Sequence, residues 1–392
     1  DPGGHGRGTS RPSRNLAFLK TTGENMLKLK TGRDEEFRQM LRRITGKTDP
    51  ALDGTRFYRW SDTLAHHRKN WYVSIRGYST RVLSTDVPCN SEGLLNHHIS
   101  DGCMLLLQSG DEYREIYPVW DWQKIPGTTV EQAPKPTGKF PRHSPCGFVG
   151  AATDGRNALF AFDFARDSLR AKKAWFLTDN AVLCLGAGIT STSAYPVVTT
   201  VNQSLLNDKK ARQVGEWVTH ADVAYHLPAT ATLDTSPKTG SWKRLASFRS
   251  SEPITRELFT LTINHGIKPN DATYQYLVLP RAGDEIAQWK ERAAPLQVLS
   301  NTSQLQAVAE VKRRIAGAIF YSPGKFLATK RLAVKVDIPC IVLVDYSDEK
   351  TVFHLAEPTG KAKVLTLTCN GRERIVSLPR GRQAGNTVKV VW

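Results

Sequence analysis

No CxxC pair occurs in the sequence, and its six cysteines (Cys89, Cys103, Cys146, Cys184, Cys340 and Cys369) lie far apart. That spacing argues against a zinc site and against a disulfide-stapled scaffold. Cys103, Cys184 and Cys340 fall in apolar, strand-like runs, where a cysteine is most often a small buried hydrophobe. No apolar run is long enough to cross a bilayer, so no membrane partner is expected. Internal repeats and low-complexity tracts are absent as well. Acidic residues are scarce: 37 Asp and Glu stand against 54 Lys and Arg, a net charge of +17. Such a balance attracts a polyanion without choosing among nucleic acid, acidic polysaccharide and membrane surface. With no nucleic-acid motif and no basic helix suited to a groove, nucleic acid ranks last among these. The opening residues carry neither Met nor a charged-then-apolar leader, so the chain is expected to begin inside a longer protein.

What is present, over 392 residues that are 40% hydrophobic, is enough for two or three domains. Residues 1–14 (DPGGHGRGTSRPSR) are too rich in Gly and Pro for a regular element. Phe37, Met40, Leu41 and Ile44 then recur at helical spacing, with Asp34, Glu35 and Glu36 before them, Arg42 and Arg43 near the end, and Gly46 as a stop. From Arg56 onward β-branched and aromatic residues alternate with polar ones between turn residues, which predicts a large antiparallel β-sandwich. One short helix interrupts it at about 284–292. A break near Ala294-Pro295 precedes a second set of short strands, a smaller sandwich.

Residues 78–129 gather the polar chemistry. Asn90, Glu92, Asn96, His97, His98 and Asp101 cluster on turns, and Trp120, Asp121 and Trp122 follow a strand. Turns held by strands are where function concentrates.

The runs GRGTSRP, NSEGLLNHHISDG, YPVWDWQKIPGTT, SLRAKKAWFLTDNAVLCLGAGI, TTVNQS, INHG with YQYLVLP, and VLSNTSQLQAV, in this order, resemble polysaccharide lyase family 8. That family holds chondroitin AC, hyaluronate and xanthan lyases, and the WDW-type and NHG-type runs resemble the chondroitin AC group. The resemblance implies the tail of an N-terminal α/α toroid over 1–48, a central β-sandwich over 49–294 and a C-terminal β-sandwich over 295–392. It implies β-elimination on an acidic glycosaminoglycan of the chondroitin or hyaluronan type, giving an unsaturated uronate. The family's catalytic Asn, His and Tyr would lie upstream of Asp1. A secreted or periplasmic bacterial location and a monomer go with such a substrate.

By the same resemblance, Arg7 and Arg11 match two arginines of the family's GRGxSR loop that contact the substrate and the catalytic Tyr. Asn90 matches an asparagine that the central sandwich contributes to the cleft. Asp86 stands in, one residue out of step, for a Glu that orients the catalytic His; Val87 occupies the Glu position itself. Glu92 fits a second acidic, substrate-facing position, and equally fits a turn-stabilising residue. No cofactor is implied. Asp121, Gln123 and Glu131 lie where some chondroitin AC lyases bind calcium, an ion suited by hard oxygen ligands; with Gln123 replacing a carboxylate, at most a weak structural site is expected.

Two bland readings stand beside these. His97 and His98, adjacent on a strand, would face opposite sides and could not share an ion. Trp60, Trp71, Trp120 and Trp122 are core candidates first and sugar-stacking platforms second. A noncatalytic carbohydrate-binding β-sandwich protein is the open alternative to the lyase.

Overall fold

The computed structural model describes residue 9 and residues 18–46, 52–85, 88–135 and 141–392. It is mainly β, built from antiparallel sheets stacked in four layers. Strands Gly54–Tyr58, Thr63–Arg68, Trp71–Arg76 and Cys103–Leu107 pair in that order to form a hairpin sheet. Beside it, a flank sheet of Ala231–Asp234, Ile254–Ile267, Pro196–Leu205 and Thr129–Glu131 carries Pro237–Gly240 as an extra strand on Ile254–Ile267.

Both sheets pack on one face of an eight-stranded sheet. Its order is Arg212–Val214, Trp217–His220, Val223–His226, Ala272–Pro280, Val182–Thr190, Leu169–Leu177, Ala158–Arg166 and Val149–Thr153. Its other face meets a six-stranded sheet (Leu296–Asn301, Leu305–Glu310, Ile315–Phe320, Cys340–Asp345, Val352–Ala356, Val388–Val391). That sheet is covered in turn by a four-stranded one (Gly324–Thr329, Leu332–Val336, Val364–Cys369, Arg372–Ser377).

Side-chain alternation explains why the middle layers read as continuous apolar runs. In Ala158–Arg166, Phe160, Phe162 and Phe164 enter the core under the hairpin and flank sheets, while Leu159 and Ala161 enter the core against the six-stranded sheet. Ile341 and Leu343 join that second core, and Cys340, Val342 and Val344 the third, against Phe326, Val334 and Leu367. A strand buried on both faces has no polar side to show. The two expected sandwiches are therefore stacked on one another, with a core of their own between them.

The expected helices are Asp34–Ile44 and Ile286–Ala293. A further helix, Leu19–Lys28, was not foreseen: its Gly23 lies where a Cβ would meet Met40 Cε at 2.6 Å and Leu41 Cδ2 at 2.9 Å. This glycine reads as a breaker in sequence, yet here it lets two helices approach closely. Among the described residues no helix is long and apolar enough to cross a membrane. All six cysteines are free, and Cys103, Cys184 and Cys340 are buried in strands.

Candidate functional site

Between Trp71–Arg76 and its sheet neighbour Cys103–Leu107 the chain makes a long excursion, residues 77–102, that leaves the sheet and returns beside itself. Gly102 N donates to Arg76 O at 3.1 Å at the point of return. Thr80 and Ser84 donate their amides to Cys146 and Arg142, tying the excursion to the next segment. Ser100 Oγ donates to Ser84 O across its neck.

Its interior is polar. Asp101, fully buried, accepts from His98 Nδ1 at 2.8 Å through one carboxylate oxygen and from Arg166 Nη2 at 2.8 Å through the other. Arg166 also donates to His97 O at 2.8 Å and lies over the ring of Tyr78. Burial opposes the Asp101 charge, but Arg166 and His98 outweigh it and hold the carboxyl below its ordinary value. His97 is pushed down to about 4, first by burial and then by His98 and Arg166, so it is neutral at pH 7. Beneath, Lys173 donates to Asp101 O at 3.0 Å and Gly127 O at 2.6 Å; burial lowers its ammonium to about 7. These charges are sealed in, so they position the excursion and do not meet a ligand.

The turn at 89–93 faces outward. Cys89 and Glu92 exchange backbone hydrogen bonds at 3.3 and 2.9 Å. Asn90 and Ser91 both take positive φ, 49° and 60°, followed by Gly93 at 71°. Asn tolerates that conformation better than most residues, and such backbone is concentrated at functional sites. Asn90 is exposed, with its amide available to solvent. Glu92 is 2% exposed.

Thr9 is the one described residue of the arginine loop, between Arg7 and Arg11 in sequence. Its hydroxyl, fully buried, donates to Asn96 Oδ1 at 3.0 Å. Two motifs 87 residues apart thereby meet. Arg7, Arg11 and Asp86 themselves lie outside the described residues.

Other candidates fall elsewhere. His97 and His98 belong to a short 3₁₀ turn, Asn96–His98, and not to a strand; their rings are 6.4 Å apart. Asp121 spends one oxygen on Lys124 Nζ at 2.7 Å and the other on Gln123 N at 3.1 Å. Glu131 accepts from Ser168 and Ser191 at 2.7 and 2.6 Å. Gln123 donates its side-chain amide to Ala133 O. Asp121 and Glu131 thus each hold protein partners, and no group of three His, Cys, Asp or Glu among the described residues is placed to hold a metal. Trp71, Trp120 and Trp122 are core; Trp60, 68% exposed, is the surface member of the four. Sequence reasoning missed Arg166, Lys173 and Gln203, the last of which clamps Asp121 and Lys124. The available signal was a charge or amide inside a run buried on both faces.

The family model for the polysaccharide lyase family 8 super-sandwich domain matches residues 53–291, and that for the family's C-terminal beta-sandwich domain matches residues 297–366. The chain belongs to polysaccharide lyase family 8. Among family 8 members, the chondroitinase-AC of Pedobacter heparinus is 33% identical over 357 residues, 84% of this chain and 50% of that protein. The hyaluronate lyase of Thermasporomyces composti is 30% identical over 369 residues, 86% of this chain and 43% of that protein. A solved chondroitinase AC lyase superposes with a TM-score of 0.89 at 30% identity, over 98% of this chain and 61% of that one. The chain spans about half the length of the curated relatives it matches.

Proposed function

We propose that this family 8 chain is the C-terminal part of a lyase that cleaves chondroitin- or hyaluronan-type glycosaminoglycans by β-elimination. The observation that supports the reading is the buried Thr9–Asn96 hydrogen bond, which ties the residue that falls between Arg7 and Arg11 in sequence to the segment that also holds Asn90. In the reaction, a base takes the proton beside the uronate carboxyl, the bond to the leaving oxygen breaks, an acid returns a proton to that oxygen, and a double bond forms in the uronate ring. The proton is acidic enough only when the carboxylate charge is offset. Arg7 and Arg11 supply that offset and bind the substrate, their guanidiniums being suited to bidentate carboxylate or sulfate contact. Asn90 donates its amide to the same sugar, and Asp86 orients the upstream base. The base and acid are supplied from upstream of Asp1. The net charge of +17 favours a polyanionic substrate, and such a polymer places the enzyme outside the cytoplasm, secreted or periplasmic.

The test is ultraviolet absorbance of unsaturated uronate on chondroitin sulfate and on hyaluronan, with this chain alone and with the chain extended upstream through a toroid. Product from the extended protein only is the expected result. Absence of product from both, with binding retained, would replace the lyase by the noncatalytic carbohydrate-binding module.

A further inference from the structure

The outward turn at 89–93 is not isolated. Glu92 forms an antiparallel bridge with Ala246, Ser247 N donates to Ser91 O at 3.1 Å, and Leu94 N donates to Leu245 O at 3.2 Å. These contacts set the segment 245–247 against the turn, and Phe248 follows it directly in the chain.

Residues 241–251 (SWKRLASFRSS) form a loop closed by Lys243 N to Ser250 O at 2.9 Å. Leu245 and Ala246 anchor it, at 1% and 0% exposure, while Phe248 is 61% exposed. A single exposed aromatic is ordinary; what sets this one apart is its company. The Arg249 guanidinium lies 5.3 Å from the Phe248 ring centroid. Arg249 makes no ion pair among the described residues, and its Nε is buried without a hydrogen-bond partner. The loop holds Lys243, Arg244 and Arg249 and no Asp or Glu. The fold thus sets an apolar ring, and a guanidinium without an ion pair among the described residues, on the loop that is bonded to the turn holding Asn90.

We infer that Phe248 and Arg249 form a sugar-binding platform beside Asn90, the ring taking the C–H face of a pyranose and the guanidinium its carboxylate or sulfate. An aromatic face suits the apolar side of a sugar ring, and a guanidinium suits a planar, charged oxygen pair. The rim of this loop, cationic and without a carboxylate, selects an anionic sugar over a neutral one. Nothing in the family resemblance assigns these two residues a role. The proposal takes only the class of sugar from the lyase reading.

The experiment titrates this chain with a chondroitin sulfate tetrasaccharide and follows binding by calorimetry. Phe248→Ala is expected to weaken binding about tenfold, the scale of one lost ring contact with its cation, and Phe248→Tyr to retain it. Arg249→Gln is expected to weaken binding at low salt and to have no effect on a carboxyl-reduced, desulfated tetrasaccharide. Because Phe248 is exposed and Arg249 is half-buried without an ion pair among the described residues, thermal melts of all three variants should stay close to the parent. Unchanged affinity in Phe248→Ala, or no tetrasaccharide binding by the parent chain, overturns the platform. Equal binding of a DNA oligonucleotide that competes with the sugar overturns its selectivity for sugar. Since turnover is not read, failure of the lyase reading shows separately, as absence of unsaturated product from the extended protein.

Discussion

The eight-stranded sheet and the excursion at 77–102 are both buried, and they are held by opposite means. Phe160, Phe162 and Phe164 sit in the sheet as apolar volume, each in a row of equivalents, and the backbone ladder satisfies the peptide groups. Asp101, His98, Arg166, Asn96 and Ser100 hold the excursion through partners chosen one by one. Apolar burial is roughly proportional to area and indifferent to direction. A buried charge is stable only with its own partner in place. An irregular path, which no ladder can fix, is therefore fixed by paired polar groups.

That contrast breaks most sharply at Asp101. Asp101→Ala strands the Arg166 guanidinium and is expected to cost roughly 3–5 kcal/mol, as for other buried pairs losing one member. Phe162→Ala is expected to cost a similar ~3–5 kcal/mol through the cavity it leaves. The two differ in rescue. Adding Arg166→Met to Asp101→Leu should restore part of the stability, because the Arg166 guanidinium is no longer left unpaired, while His98 and Lys173 still lose the carboxylate; no single second substitution should restore Phe162→Ala. Urea denaturation of the set decides it. A loss below about 1 kcal/mol in Asp101→Ala would mean that the excursion does not depend on its charges.

Titration sharpens the same comparison. His66, fully buried in the hairpin sheet, donates Nε2–H to Thr178 O at 3.0 Å and holds Nδ1 2.7 Å from the Thr55 hydroxyl. Burial, aided by Arg68, lowers it to about 3 from 6.5. The unfolded chain thus takes up the proton first. Stability from this group is complete above about pH 6.5 and is lost as pH falls toward about 3. His97, in the excursion, follows the same sign toward about 4, but it is less deeply buried. Between pH 6.5 and about 5, His66 should account for about 2 kcal/mol. Denaturation curves against pH for His66→Gln and His97→Gln read the two regions apart. A larger flattening from His97→Gln would reverse the ranking.

How far each region could be read from sequence follows from the same difference. The sheet announced itself in ALFAFDFAR and in VLCLGAGIT, because strands buried on both faces leave short apolar runs. The edge strands Arg212–Val214 and Pro237–Gly240 did not, since polar, Pro- and Lys-containing edges carry little alternation. In the excursion the residue types of NSEGLLNHHISDG marked a polar cluster, and the Thr9–Asn96 bond ties Thr9 to it. The partners of Asp101 could not be read, because Arg166 comes from a strand 65 residues away. The same holds for the loop of Phe248: its attachment to the turn depends on a bridge between Glu92 and Ala246, and neither segment carries a periodic signal.

The smallest expected effect on stability falls at Asn90, and it separates backbone from side chain. At φ 49° an alanine would pay about 1 kcal/mol for the left-handed conformation, whereas glycine adopts it freely. Asn90→Gly should therefore melt within about 0.5 kcal/mol of the parent, and Asn90→Ala slightly lower. Both remove the amide. If that amide binds sugar, the two variants lose chondroitin tetrasaccharide affinity by the same factor despite their different stabilities. Full affinity in Asn90→Gly would instead assign the asparagine to the turn alone. The binding surface would then rest on Phe248, Arg249 and the arginine loop, and the irregular turn would serve only to bring them to one place.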